Sequence, residues 1–117
     1  MTRVNVTDGN RLKTGDTEND LLVELVKNNG VPKVLSGYEV TFQMREAGGD
    51  TLIVDDDTSG NVTVEESDLG RVSYDWQPGD TGTSGTYECE FTIDDNSGSI
   101  LTFPNQGFFT VQIEEGL

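Results

Sequence analysis

Asp55-Asp56-Asp57-Thr58-Ser59-Gly60, followed by Glu66, has the residue types and spacing of a calcium loop. Asp55, Asp57 and Ser59 fall on positions one, three and five of an EF-hand loop, Gly60 on six, Val62 on eight and Glu66 on twelve. Oxygen ligands at those intervals suit a hard cation. An EF-hand also needs a helix on each side. Here the flanks, Leu52-Ile53-Val54 and Asn61-Val62-Thr63-Val64, have the composition of strands. The segment therefore also reads as an acidic hairpin loop between Val54 and Val62. The reading expects no cofactor, with calcium at Asp55, Asp57, Ser59 and Glu66 as the alternative. Asp94-Asp95-Asn96 is a weaker acidic cluster and reads as a turn.

The remaining chemistry is sparse. The sequence has no histidine and one cysteine. Histidine triads, histidine-containing zinc sites, multi-cysteine metal sites and an intrachain disulfide are thereby excluded. A catalytic thiolate at Cys89 would need a histidine or a cationic neighbour, and none is evident nearby in sequence. Carboxylate pairs suited to glycoside hydrolysis are expected by coincidence among 22 acidic residues. Tyr74 and Trp76 could stack on a sugar, but their alternation assigns them to a core. No glycine-rich loop lies between a strand and a helix, as phosphate binding would need. The expectation is a protein that is not an enzyme.

The 117 residues suit a single domain, 1–117. Seven basic residues against 22 acidic ones give a formal net charge of −15. That balance argues against nucleic acid and against an anionic membrane as partners. Only three of the basic residues are lysine, and aspartate outnumbers glutamate. Such surfaces suit molar salt, where the Debye length is about 3 Å and self-repulsion is screened. A halophilic origin follows as an expectation, with looser folding or assembly below about 1 M salt. Met1-Thr2-Arg3 leads into Val4-Asn5-Val6-Thr7-Asp8 without an apolar run. No secretory leader and no membrane span are therefore expected.

Positioning falls to strands. Glu39 to Arg45 alternates, with Val40, Phe42 and Met44 on one side. Arg71 to Gln77 places Val72, Tyr74 and Trp76 inward, and Thr86 to Ile93 places Tyr87, Cys89, Phe91 and Ile93 inward. Leu21–Lys27, Thr51–Val54, Asn61–Glu65, Ser99–Phe103 and Phe108–Ile113 complete the set. Val4–Thr7 and Lys13–Thr17 are further edge strands, or residues 1–10 form an N-terminal arm. Asn28-Asn29-Gly30, Ala47-Gly48-Gly49-Asp50, Pro78-Gly79-Asp80 and Asp94-Asp95-Asn96-Ser97-Gly98 supply the turns. Strands about ten residues apart with such turns predict an antiparallel β-sandwich or barrel of about 7–9 strands. Tyr87-Glu88-Cys89 has the Tyr-x-Cys spacing of an immunoglobulin F strand, whose tyrosine hydroxyl caps a loop. Adjacent Phe108 and Phe109 must face opposite ways on a strand, which makes one of them an outward contact candidate.

The order of segments carries a resemblance. Lys13-Thr14-Gly15-Asp16-Thr17 and a strand precede Gly30-Val31-Pro32 and Leu35-Ser36-Gly37. Val40-Thr41-Phe42-Gln43-Met44-Arg45, Gly70-Arg71-Val72-Ser73-Tyr74 and Gly85-Thr86-Tyr87-Glu88-Cys89-Glu90-Phe91 follow, then Leu101-Thr102-Phe103-Pro104-Asn105. From about Arg11 to Ile113 this resembles the N-terminal domain of the baseplate upper protein family of tailed phages. The resemblance implies an immunoglobulin-like β-sandwich that docks other virion proteins in the host-adhesion device. Longer members continue into helical and receptor-binding parts, so this chain would be a small assembly module of a tail or baseplate. With the acidity, the expected source is a tailed virus of a halophilic archaeon, and the expected place is the virion after synthesis in the host cytoplasm. Symmetric copies in the particle would be its homo-oligomeric arrangement. Capsid decoration, fibre attachment, and a calcium- or carbohydrate-binding module are the alternatives.

Overall fold

The computed structural model describes residues 1–56 and 60–117. Its strands are β1 (Arg3–Asp8), β2 (Arg11–Lys13), β3 (Leu21–Val26), β4 (Glu39–Glu46) and β5 (Leu52–Asp56). The second half supplies β6 (Val62–Glu66), β7 (Arg71–Tyr74), β8 (Gly85–Asp94), β9 (Ile100–Phe103) and β10 (Phe109–Glu114). The described helical residues are one 3₁₀ turn, Ser67–Leu69. One sheet has the order β1-β3-β7-β6, and the other β2-β10-β8-β4-β5 with β9 also on β8. In immunoglobulin terms these are A-B-E-D facing G-F-C-C′. The chain is an immunoglobulin-like β-sandwich.

Ten strands occupy eight positions of that fold, because two positions are split. The A strand is cut at Gly9, where the chain leaves β3 and crosses to the second sheet. Gly9 has φ +83°, and a Cβ there would lie 2.2 Å from the Asp20 carbonyl oxygen, so only glycine can make the crossing. After it, β2 runs parallel to β10, with Leu12 opposite Ile113. This pair departs from the all-antiparallel expectation: the chain changes sheet without reversing direction. β2 stops at Lys13, so most of the strand expected over Lys13–Thr17 is a turn, which Asp16 closes through Lys13 N–H. The G strand is cut too. Phe103 lies opposite Phe91 and Phe109 opposite Cys89, so residues 104–108 bulge out against Glu90 alone. Pro104 has no N–H to give to the ladder.

The N-terminal residues form a strand. β1 pairs antiparallel with β3, and Thr2 ties its start to the second sheet. Thr2 N–H donates to Asn105 Oδ1 at 3.0 Å, and Thr2 Oγ1 donates to the Thr102 carbonyl at 3.0 Å.

The core follows the alternation of β4, β7 and β8. Val72, Tyr74, Trp76, Tyr87, Cys89, Phe91 and Ile93 are all buried. Phe42 sits at the centre. Its ring centroid lies 4.5 Å from Tyr74, 4.9 Å from Phe91, 6.1 Å from Trp76 and 6.4 Å from Phe109, within the range of favourable aromatic contacts. Gly70 links the 3₁₀ turn to β7 and packs that link on β3. Its carbonyl accepts from Leu25 N–H at 2.8 Å, and a Cβ would meet Leu25 O at 2.6 Å.

Candidate functional site

Of the calcium-loop pattern, the described residues Asp55 and Glu66 belong to different sheets. Asp55 is on β5, the edge of one sheet, and Glu66 on β6, the edge of the other. The segment between them is therefore a crossing from sheet to sheet, not the expected hairpin. Gln43 Nε2 donates to Asp55 Oδ1 at 3.3 Å. Arg71 Nη1 donates to Glu66 Oε1 at 2.7 Å. Asp57 and Ser59 lie outside the described residues. Among the described residues no group of three His, Cys, Asp or Glu side chains is placed to hold a metal ion. The Asp94–Asn96 segment is a turn whose carboxylates cap backbone: Asp95 Oδ1 accepts from Ser97 N–H at 2.8 Å and Ser99 N–H at 3.1 Å. Those hydrogen bonds hold the Asp95 carboxyl below its ordinary range.

Cys89 is wholly buried on β8, facing the opposite sheet. Burial pushes its thiol far above the ordinary range, so it is a small apolar core residue. Two residues earlier, Tyr87 hydroxyl donates to the Thr83 carbonyl at 2.6 Å. This is the tyrosine corner that the Tyr-x-Cys spacing predicts. Asp80 supports the same loop, accepting on Oδ2 from Tyr74 hydroxyl at 2.6 Å and Gln77 N–H at 2.9 Å. Thr81 hydroxyl donates to the Asp16 carbonyl at 2.8 Å. The polar groups of loop 77–84 are thus largely consumed in holding the fold. Beside it, Asp20 has a carboxyl held above its ordinary range by partial burial and then by the neighbouring Asp75.

Phe108 and Phe109 separate as adjacent strand residues must. Phe109 turns inward and stacks on Phe91, with centroids 5.8 Å apart and planes 4° from parallel. Phe108 points away from the core and is 42% exposed. Arg45 on β4 lies over it, with the guanidinium carbon 4.7 Å from the ring centroid. Glu88 on β8 fixes that guanidinium: its Oε1 is 3.1 Å from both Nε and Nη2 of Arg45. Gly48 N–H also donates to Glu88 Oε1, at 3.3 Å. Gln43, Leu52 and Glu90 complete a shallow depression of about 70 Å³ around this stack. The arrangement offers an apolar ring, a planar cation and carboxylates on one rigid sheet face. Aromatic residues and arginine at such a position are the groups enriched at protein–protein contacts. Position in sequence signals the outward phenylalanine, but its arginine partner follows only from the order β10-β8-β4.

A second feature was not signalled by the sequence pattern. Thr2, Lys27, Asn28, Asn29, Lys33, Leu101 and Asn105 line an open hollow of about 320 Å³ at one end of the sandwich. Lys33 Nζ lies 4.7 Å from the centroid of the Tyr38 ring. Two of the three lysines therefore share one concavity.

No family model matches the chain, and no curated protein matches it. Among solved structures it is similar to one described as the crystal structure of the Lin-41 filamin domain. That match covers 97% of this chain and 93% of the other, at 14% sequence identity and a TM-score of 0.49.

Proposed function

We propose that the chain is a non-enzymatic docking module that builds a virion, with the outer face of the G-F-C-C′ sheet as its contact surface. The observation that carries this reading is the Phe108–Arg45–Glu88 stack. A phenylalanine 42% exposed and held beneath a fixed guanidinium is a preorganised contact, because little side-chain freedom remains to be lost on binding. The order of sequence segments, with its likeness to the baseplate upper protein family, supports a tail or baseplate as the setting. The lysine-poor acidity supports a halophilic host. Repetition of the module around a symmetric particle would turn weak single contacts into stable attachment.

The test is direct. Mass spectrometry of purified particles should find the chain at a fixed ratio to the major structural proteins. Phe108→Asp should lower its incorporation at least tenfold while leaving the circular dichroism of the isolated protein unchanged. Absence of the chain from purified particles would overturn the reading.

A further inference from the structure

β9 leaves one edge of the second sheet uncovered. Among the described residues it pairs with β8 and with no other strand. Which of its backbone groups face outward follows from β8. A strand residue sends its N–H and C=O to the same side, and the side alternates along the strand. Ala47 N–H, just past β4, donates to the Thr86 carbonyl, so Thr86 addresses β4. The β4–β8 register has no bulge, so Thr92 and Asp94 address β4 as well. Thr92 lies opposite Thr102, and Asp94 opposite Ile100. Neither pair can exchange hydrogen bonds, and Ile100 and Thr102 turn their N–H and C=O away from β8. Two contacts agree with this. Thr2 hydroxyl donates to the outward Thr102 carbonyl at 3.0 Å, and Asp95 N–H donates to the inward Ser99 carbonyl at 3.1 Å. Among the described residues the N–H and C=O of Ile100 have no partner.

The other free edges are blunted. The register of β1 shifts after Val6, that of β5 between Leu52 and Val54, and that of β6 before Glu66. β2 has only three residues, and Arg11 and Lys13 are two of them. Bulges, charges and short length are the usual means by which a sheet refuses an added strand. β9 has an unbroken register with β8 and no charge in Ile100-Leu101-Thr102-Phe103. Its Ile100 is 63% exposed. The carboxylates nearby lie off the edge. Asp94 is on β8, and Glu39 is beyond it on β4. The Asp94 and Asp95 carboxylates accept from the amides of Asn96, Ser97 and Ser99 in their own turn.

We propose that the β9 edge pairs antiparallel with the β9 edge of a second copy of this chain, Ile100 opposite Ile100, in a closed two-fold dimer. The edge is its own complement. Each Ile100 N–H donates to the Ile100 carbonyl of the other copy, and each exposed Ile100 side chain covers the other. Leu101 then faces Ser99 of the other copy, so inward residues meet inward residues. Residues 97–103 carry no charge, so none falls on the seam. Neighbouring strands lie about 4.8 Å apart, which puts the two Asp94 positions, three spacings apart, at about 14 Å. That exceeds the Debye length of about 8 Å at 0.15 M salt and about 3 Å at 1 M. At about 0.01 M it is about 30 Å, and whole molecules of −15 repel. Such a dimer needs no viral setting. It leaves both Phe108 faces open, on one side of a continuous sheet.

Sedimentation velocity over a series of protein and salt concentrations tests it. A dimer and nothing larger should form as protein concentration rises at about 1 M salt, and dissociate at about 0.01 M. Ile100→Pro should raise the concentration needed at least tenfold. It removes the outward N–H and spares the β8–β9 ladder, in which that N–H takes no part. Ile100→Lys should do the same by setting two like charges on the seam, and it carries the test if proline disturbs the fold. Circular dichroism certifies each variant. Phe108→Asp should leave the dimer as it is, which separates this contact from the one in the proposed function. In the wild type, amide hydrogen exchange at Ile100 should slow as the dimer forms. A wild type that stays monomeric at millimolar protein would overturn the proposal. So would growth past the dimer, or a dimer that the folded Ile100 variants leave intact.

Discussion

The two ends of the sandwich are built from the same kinds of turn residue and use them differently. At the end carrying loop 77–84, side chains point back into the fold. Asp80 holds Tyr74 and Gln77, Tyr87 holds Thr83, and Thr81 holds residue 16. At the end carrying Lys27 and Lys33 the turns are closed by backbone and by short-range side chains of the turns themselves: Asn29 Oδ1 accepts from Val31 N–H, and the Asp94 and Asp95 carboxylates accept from the amides of Asn96, Ser97 and Ser99. Lys27 N–H donates to Val31 O, Gly30 N–H to Lys27 O and Lys33 N–H to Leu25 O. Val31, Val34 and Ile100 are left exposed there, with Lys27 and Lys33 and with the carboxylates Glu39, Asp94 and Asp95 at the same end. The difference teaches that polar side chains in a loop are weak evidence of a binding surface when the fold itself uses them.

Substitutions at each end should separate the two. The largest effect is expected for Asp80→Ala at the tied end. It removes this acceptor from the Tyr74 hydroxyl and the Gln77 N–H, a loss of about 2–6 kcal/mol at about 1–3 kcal/mol per group. Chemical denaturation would measure it. Tyr87→Phe removes only the corner hydrogen bond and should cost about 0.5–1.5 kcal/mol. At the open end, Lys27→Ala/Lys33→Ala should change stability by no more than about 1 kcal/mol, since neither lysine makes an ion pair among the described residues and Lys33 loses only its contact with the Tyr38 ring. A large destabilisation there, equal to that of Asp80→Ala, would erase the contrast.

Titration sharpens the same comparison with the smallest effect. Asp20, at the tied end, has its carboxyl raised by burial and by Asp75. A raised acid binds its proton more readily in the folded state, so this group adds stability as pH falls through its folded value. Asp95, at the open end, is lowered by the Ser97 and Ser99 amides. Its contribution is present above the ordinary carboxylate range and is lost as pH falls through the lowered value. Carbon-detected NMR should find Asp20 titrating above Asp95, and Asp75→Asn should bring Asp20 down while leaving Asp95 in place.

Much of the framework was legible in the residues. The alternation of β4, β7 and β8 placed Phe42, Met44, Tyr74, Trp76 and Phe91 in the core because a half-buried strand repeats every second residue. The tyrosine corner was legible because its spacing is local. Features that depend on which strands become neighbours were not. The parallel β2–β10 pair rests on a sheet change at Gly9, which hydrophobic pattern does not report. Arg45 meets Phe108 only because β8 lies between β4 and β10. Lys27 and Lys33 lie six residues apart, and Leu101 and Asn105 join them at the hollow only through the packing of the two sheets. The Asp55-to-Glu66 spacing shows the converse: a complete sequence pattern whose two ends belong to different sheets.

A reconstruction of the purified particle at side-chain resolution would test the central claim most directly. The account predicts that the chain is found in the particle, with Phe108 and Arg45 of each copy covered by a neighbouring structural protein. Absence of the chain, or a Phe108 face open to solvent in every copy, would contradict it.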